Sequence, residues 1–246
     1  MNETASMSFE KIVCEDAGEM AERVAARLRD LTRAPGDQTV FIALSGGSTP
    51  RRLYELLAGP PWRDEIDWKR IEVFFGDERP VPPHHPDSNY GMAERALLSK
   101  VPVKAHRMRA EHGEAEAYEK LLGERIAARA GGVPVLDLIL LGMGPDGHTA
   151  SLFPDTAALR ERERLVVMNE VPKLVTRRMT ITFPLIQAAR RVWLLVAGAD
   201  KRETVRQCLE ALDEPVLAKL CPAALARPTE GELVWWLDRA AAGALG

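Results

Sequence analysis

Residues 136–154 read Leu-Asp-Leu-Ile-Leu-Leu-Gly-Met-Gly-Pro-Asp-Gly-His-Thr-Ala-Ser-Leu-Phe-Pro. An apolar run over 136–141 stops at Gly142, and a glycine-rich loop then presents Asp146 and His148. A run this nearly continuously hydrophobic suits a parallel strand covered on both faces. The polar loop behind it falls where open α/β sheets place their ligands, outside the carboxyl ends of the strands. Two other stretches repeat the pattern. Val40–Leu44 runs into Ser45-Gly46-Gly47-Ser48-Thr49-Pro50, and Ile71–Phe75 runs into Gly76-Asp77-Glu78-Arg79. Helix-like segments separate the runs, so crossover connections and an open, mainly parallel sheet with helices on both faces are the expectation. Parallel strands put their carboxyl ends on one edge. Three loops far apart in sequence should therefore line one crevice.

Outward from these runs, the pattern predicts a strand over Phe9–Cys14 and a helix over Asp16–Leu31, whose stripe is Met20, Val24, Leu28 and Leu31. A turn at Pro35-Gly36-Asp37 follows, and a helix from about Pro50 to Ala58. The proline-rich stretch Pro80–Asp87 reads as a loop lying over the crevice. Ser88-Asn89 opens a helix to Leu98, and another spans Ala115–Ala130, closed by Gly131-Gly132. Strands are expected at Arg164–Met168, Met179–Phe183, Val192–Ala197 and Leu233–Leu237, with helices over Lys201–Leu212 and 239–245. No repeat, low-complexity tract or linker interrupts the chain, which reads as one domain over residues 1–246.

The 246 residues are 46% hydrophobic, enough for a substantial core. A net charge of −3 leaves no basic footprint for nucleic acid, so an anionic ligand must be held locally. No apolar run approaches the length of a membrane span. Met1–Glu10 is polar and lacks a signal-peptide core. Cys14, Cys208 and Cys221 are few and scattered, without metal spacing, and fit a reduced cytoplasm.

Ser45-Gly46-Gly47-Ser48-Thr49 sits between a strand and a helix. Glycines allow close backbone approach, and free N–H groups with neighbouring hydroxyls make an anion site. The loop lacks the Gly-Lys-Ser/Thr of a Walker motif and is not GxGxxG, so a small phosphate monoester suits it. The competing reading is an ordinary tight turn with Ser48 or Thr49 as helix cap. A dianion also calls for arginine, whose fork matches phosphate oxygens. Arg79, Arg51, and Arg177 or Arg178 are the candidates, and Arg79, at a strand end, is the best placed.

Asp146 and His148 lie two residues apart, a spacing that in an extended loop points both side chains the same way. The carboxylate could then orient the imidazole, whose ordinary pKa of about 6.5 leaves it largely neutral near pH 7 and able to take a proton from water. The alternative is a histidine capping a following helix. His84-His85, His106 and His112 read as surface or structural, and Trp235-Trp236 as packing. No zinc motif, serine elbow or cysteine nucleophile signature is present.

These residues resemble the 6-phosphogluconolactonases. The likeness rests on Ser45–Pro50; on Asp77-Glu78-Arg79 with Val81-Pro82 and Ser88-Asn89; and on Gly142–Pro154. It continues in Arg178-Met179-Thr180, Val196-Ala197-Gly198 with Lys201, and Pro222-Ala223-Ala224 through Trp236 and Asp238, nearly the whole chain. The resemblance implies a NagB/RpiA-like α/β fold and hydrolysis of 6-phospho-D-glucono-1,5-lactone in the oxidative pentose phosphate pathway, with no metal or organic cofactor. It implies His148 and Asp146 as catalytic groups. For substrate and phosphate it implies Ser45, Gly46, Gly47, Ser48, Thr49, Asp77, Arg79, Ser88, Asn89, Gly144 and Arg178. The expected partner is a sugar-phosphate lactone, with no nucleic acid or membrane, and the expected state is a cytoplasmic monomer. The related glucosamine-6-phosphate deaminases carry a tyrosine where Arg79 stands and a glutamate where Phe153 stands. A deaminase or isomerase on this scaffold, and a non-catalytic sugar-phosphate binding module, are the alternatives. The Val171–Thr176 segment departs from the proline-rich pattern of the family, which bears on Lys173 more than on Arg178.

Overall fold

A computed structural model describes residues 9–36, 38–127, 132–212 and 221–245. Seven strands form one sheet: β1 (Glu10–Cys14), β2 (Val40–Leu44), β3 (Ile71–Phe75), β5 (Lys104–Ala105), β6 (Leu138–Leu141), β9 (Arg191–Val196) and β10 (Glu232–Asp238). Their order is β1-β10-β9-β6-β2-β3-β5, and every pairing is parallel. The runs at 40–44 and 71–75 are strands over the expected residues, and the 136–141 run contributes 138–141. β3 and β6 are buried throughout and β9 and β10 nearly so, hence covered on both faces, which explains why they carry no polar alternation. Trp193, Trp235 and Trp236 are packed inside this core.

A second, antiparallel sheet has the order β4-β8-β7: β4 is Asp77–Glu78, β7 Val166–Val171 and β8 Thr176–Ile181. It was not foreseen. After Phe75 the chain leaves the parallel sheet through Gly76 and pairs Asp77 with Thr180 and Glu78 with Met179. β8 starts three residues before the expected strand and ends at Ile181, because Phe183 opens a short helix to Ala188 with Pro184 in its first turn. β7 likewise lies two residues later than the Arg164–Met168 expectation.

The first helix spans Ala17–Arg33, with Asp16 as its cap accepting from the Gly18 and Glu19 N–H groups. The helix expected to run to Ala130 ends at Arg125, with Ile126 already extended; residues 128–131 and Asp37 of the expected turn lie outside the described residues. Residues 80–88 form turns and bends without a regular element, and Ser88 then caps a helix over Asn89–Ala96. No helix among the described residues is long and apolar enough to cross a membrane.

Candidate active site

Four adjacent strands, β9-β6-β2-β3, end their carboxyl edges on one cavity of about 340 Å³. Its walls are residues 45–50 after β2, Asp77 and Arg79 after β3, the 142–153 loop after β6, and Leu195–Ala197 with Asp200 and Lys201 at the end of β9. Asn89 and Arg178 complete it. The three foreseen loops do meet; the fourth, after β9, was not foreseen.

The helix after β2 spans Ser48–Leu57, and its cap is Gly47, with φ 108° and no side-chain capping bond. Neither Ser48 nor Thr49 caps it, so the hydroxyl capping that the ordinary-turn reading invoked is absent. The cap position requires the positive φ that glycine tolerates. The helix start therefore offers uncapped N–H groups and its positive dipole end to the cavity. Below it, the Tyr54 hydroxyl donates to the Ser45 carbonyl and accepts from the Ser45 N–H, fixing the turn from within. The Ser45 hydroxyl oxygen is buried without a partner.

Extending the β4–β8 register by one residue sets Arg79 opposite Arg178. Burial and the neighbouring Arg79 charge both lower the Arg178 guanidinium below its ordinary value. The Nε atoms of both arginines are buried and unpartnered. Two crowded guanidiniums and an orphaned hydroxyl, beside a helix N-terminus, are the kinds of group that anion binding calls for. Arg51 instead pairs with Glu55 and Arg177 with Glu170, both well exposed and neither lining the cavity, so these two candidates fall away.

Asp77 holds the other wall together. Its Oδ2 accepts from the Ser151 hydroxyl at 2.7 Å and its Oδ1 from the Asn89 amide at 3.0 Å. Ser88 does not reach the cavity. It caps the Asn89 helix through the Gly91 N–H and donates to buried Glu78, which also accepts from the Asn89 and Tyr90 N–H groups. Burial, acting first, raises the Glu78 carboxyl.

His148 lines the cavity, and its Nδ1 meets Asp146 Oδ1 at 2.5 Å. The contact does not come from an extended segment. The loop closes on itself through Gly144 N–H to the His148 carbonyl and Gly147 N–H to the Gly144 carbonyl, with Gly147 at φ 76°. The ring stacks on Phe153, centroids 4.0 Å apart and planes at 21°. No helix begins at His148, so the capping reading fails too. With Asp146 accepting the Nδ1 proton, Nε2 keeps the free lone pair. Burial pushes the imidazole down from the ordinary 6.5 to about 4, with Arg178, Lys201 and Arg79 adding to it against the pull of Asp77. The touching Asp146 carboxylate pulls the other way. With burial the largest influence, the ring is neutral at pH 7.

Of the expected residues, all but Asp146 and Ser88 line the cavity, and Asp146 stands behind His148. Sequence reasoning missed Ser151 and Lys201 as cavity residues, although both lay within segments it had quoted. His106, read as surface or structural, is structural. His106 contacts Glu72 at 3.0 Å and stacks on Phe74, beside Lys104 and Arg125, as a structural cluster away from the cavity. Among the described residues no group of histidine, cysteine and carboxylate side chains is arranged to hold a metal.

Residues 15–235 match the family model described as glucosamine-6-phosphate isomerases/6-phosphogluconolactonase. A relative from Streptomyces coelicolor, a 6-phosphogluconolactonase, is 39% identical over 95% of this chain and 94% of its own length. The solved 6-phosphogluconolactonase of Trypanosoma brucei superposes with a TM-score of 0.84 at 28% identity, covering 97% of this chain and 99% of its own. A monomeric glucosamine-6-phosphate deaminase of the NagB superfamily shares the fold alone, with a TM-score of 0.76 at 21% identity over 95% of this chain and 99% of its own.

Proposed function

The chain belongs to the glucosamine-6-phosphate isomerase/6-phosphogluconolactonase family, and from that premise we propose that it hydrolyses 6-phospho-D-glucono-1,5-lactone to 6-phospho-D-gluconate. One observation carries the reading: the His148–Asp146 pair and the unpartnered Ser45 Oγ, Arg79 Nε and Arg178 Nε serve a single cavity. In it the substrate phosphate sits on Ser45–Thr49 between Arg79 and Arg178. The lactone carbonyl lies towards His148. Nε2 takes a proton from water as the hydroxide oxygen bonds to C1. Lys201, one of the cations acting on His148, offers positive charge to the developing oxyanion. The tetrahedral adduct collapses by breaking the bond from C1 to the ring oxygen, which receives the proton from His148, and the acid released ionises. Asp77, Asn89 and Ser151 shape the sugar-facing wall, and Gly144 keeps space under the imidazole, since a Cβ there would strike the His148 ring.

Against deamination stands Phe153, buried and stacked on His148 where that chemistry would want an acid. The family match runs unbroken over residues 15–235, which suits one catalytic domain over 1–246, expected to act as a monomer. Three free thiols suit the cytoplasm.

The test is a coupled assay with freshly generated lactone, corrected for spontaneous opening. The protein accelerates ring opening and releases no ammonia from glucosamine 6-phosphate. His148→Ala lowers kcat about 10²–10⁴-fold with KM little changed. In the unsubstituted protein kcat/KM falls as pH drops through a value between about 4 and 6.5, because protonation removes the Nε2 lone pair. Undiminished turnover in His148→Ala, or binding without hydrolysis, contradicts the reading.

A further inference from the structure

Asp146 has a second partner that the reaction above does not use. The Lys173 ammonium contacts Asp146 Oδ2 while Oδ1 is bound to His148 Nδ1, so one carboxylate is shared by a base and a cation. Lys173 also sits 5.2 Å from the centre of the Phe153 ring, which stacks on His148. The lysine thus meets both groups that hold the imidazole: the carboxylate at its edge and the ring on its face. It is carried by the turn between β7 and β8, a short helical turn over Pro172–Leu174 closed by Val175 at φ 49°. That turn is otherwise exposed, and Val175 is 93% exposed, so packing does not explain its position over the active-site loop. The strand leaving the turn, β8, carries Arg178 into the cavity five residues later.

We propose that Lys173 is a positioning residue for this reaction: it seats the Asp146 carboxylate against His148, from the same hairpin that supplies Arg178 to the substrate phosphate. The proposal rests on His148 acting as the base. Seating Asp146 fixes which imidazole nitrogen carries the proton and where Nε2 points. Because both residues belong to one hairpin, a phosphate held on Arg178 steadies the element that holds the base. The charge of Lys173 has its own effect. His148 faces Asp146 and Asp77 as anions, and Arg178, Lys201 and Arg79 as cations. Lys173 adds a cation bound to the anion nearest the ring, which disfavours imidazolium. Its removal leaves Asp146 to His148 alone and favours imidazolium.

Lys173→Met and Lys173→Arg are compared with the unsubstituted protein, measuring kcat, KM and Tm, and kcat/KM between about pH 4 and pH 8. Lys173→Met lowers kcat about tenfold with KM for the lactone little changed. Its acid limb moves to higher pH by roughly half a unit to one unit. Lys173→Arg restores kcat and the limb, and Tm is unaltered in both because the side chain is exposed. A Lys173→Met profile that overlays the unsubstituted one overturns the proposal while leaving the base in place, provided His148→Ala is inactive. If His148→Ala retains full turnover, the base reading fails and this one with it.

Discussion

Arg79 and Arg178 hold like charges close together in a partly buried wall, an arrangement that stabilises nothing by itself. Arg178 is kept below its ordinary pKa by burial first and by Arg79 next, with Asp77, Asp87 and Glu78 opposing. Arg79 is tied at one end, where Nη1 donates to the Asp87 carbonyl, and its Nε is left free. Such a pair makes sense as a receptor for a dianion that neutralises both. The expected signature separates affinity from stability. Arg178→Met raises KM about 10- to 100-fold, the loss of one or two charge-assisted hydrogen bonds of ~1.5–3 kcal/mol, and Tm does not fall, because repulsion is relieved. Arg79→Ala likewise raises KM chiefly. Steady-state kinetics beside thermal unfolding reads both quantities. A normal KM in either variant, or a large drop in Tm in Arg178→Met, removes the phosphate role from that residue.

At the scale of the element, the site is a set of strand ends whose turns leave no room for side chains. A Cβ at Gly46 would fall inside the contact radius of Asn89 Oδ1, and Asn89 in turn donates to Asp77 at its side chain and its carbonyl. Gly46→Ala therefore acts on the element beyond its own position. It pushes Asn89 off Asp77, loosens the start of the Asn89–Ala96 helix, and costs about 1–3 kcal/mol of stability together with most of the activity. Chemical denaturation with a parallel rate assay checks this, and a variant of unchanged stability and rate shows the wall is more compliant than described. Elements were legible in the sequence where one physical signal dominated. β2 is a continuous apolar run ending at a glycine-rich loop, and β3 is nearly so, broken by Glu72 and ending at Gly76; their limits follow from that. β8 was less legible: Thr176, Arg177 and Arg178 lie on an antiparallel hairpin partly facing solvent, so its first half carries no apolar run. β4 was not legible, since two buried carboxylates, Asp77 and Glu78, become a strand only by pairing with residues a hundred positions away. Lys201 has the look of an ordinary first-turn lysine, and only the position of β9 beside β6 brings it to the cavity.

For the whole molecule, the parallel order β9-β6-β2-β3 converts separated loops into one site, which is why the crevice could be foreseen from strand ends alone. The antiparallel sheet then swings Arg178 and Lys173 across that edge, a placement that sequence pattern does not encode. Global electrostatics contribute little: the net charge is −3, so a phosphorylated ligand is drawn by the local cluster and not by a field over the surface. Recognition should therefore register as stability of the entire fold, specifically for the phosphorylated ligand. A ligand that binds only the folded chain adds about 2.7 kcal/mol at a hundred times its Kd, and each kcal/mol moves Tm by roughly 2–4 °C in a chain of this length. Saturating 6-phosphogluconate should raise Tm by about 5–10 °C, whereas gluconate at the same concentration should leave it nearly unmoved. Because the receptor groups lie partly buried in the cavity wall, the shift should persist at about 0.15 M salt, where the screening length is about 8 Å. Differential scanning fluorimetry across salt concentrations measures it. Equal shifts with gluconate, or a shift that vanishes with moderate salt, would mean that the anion is held by the surface and not by Ser45, Arg79 and Arg178 in the wall of the cavity.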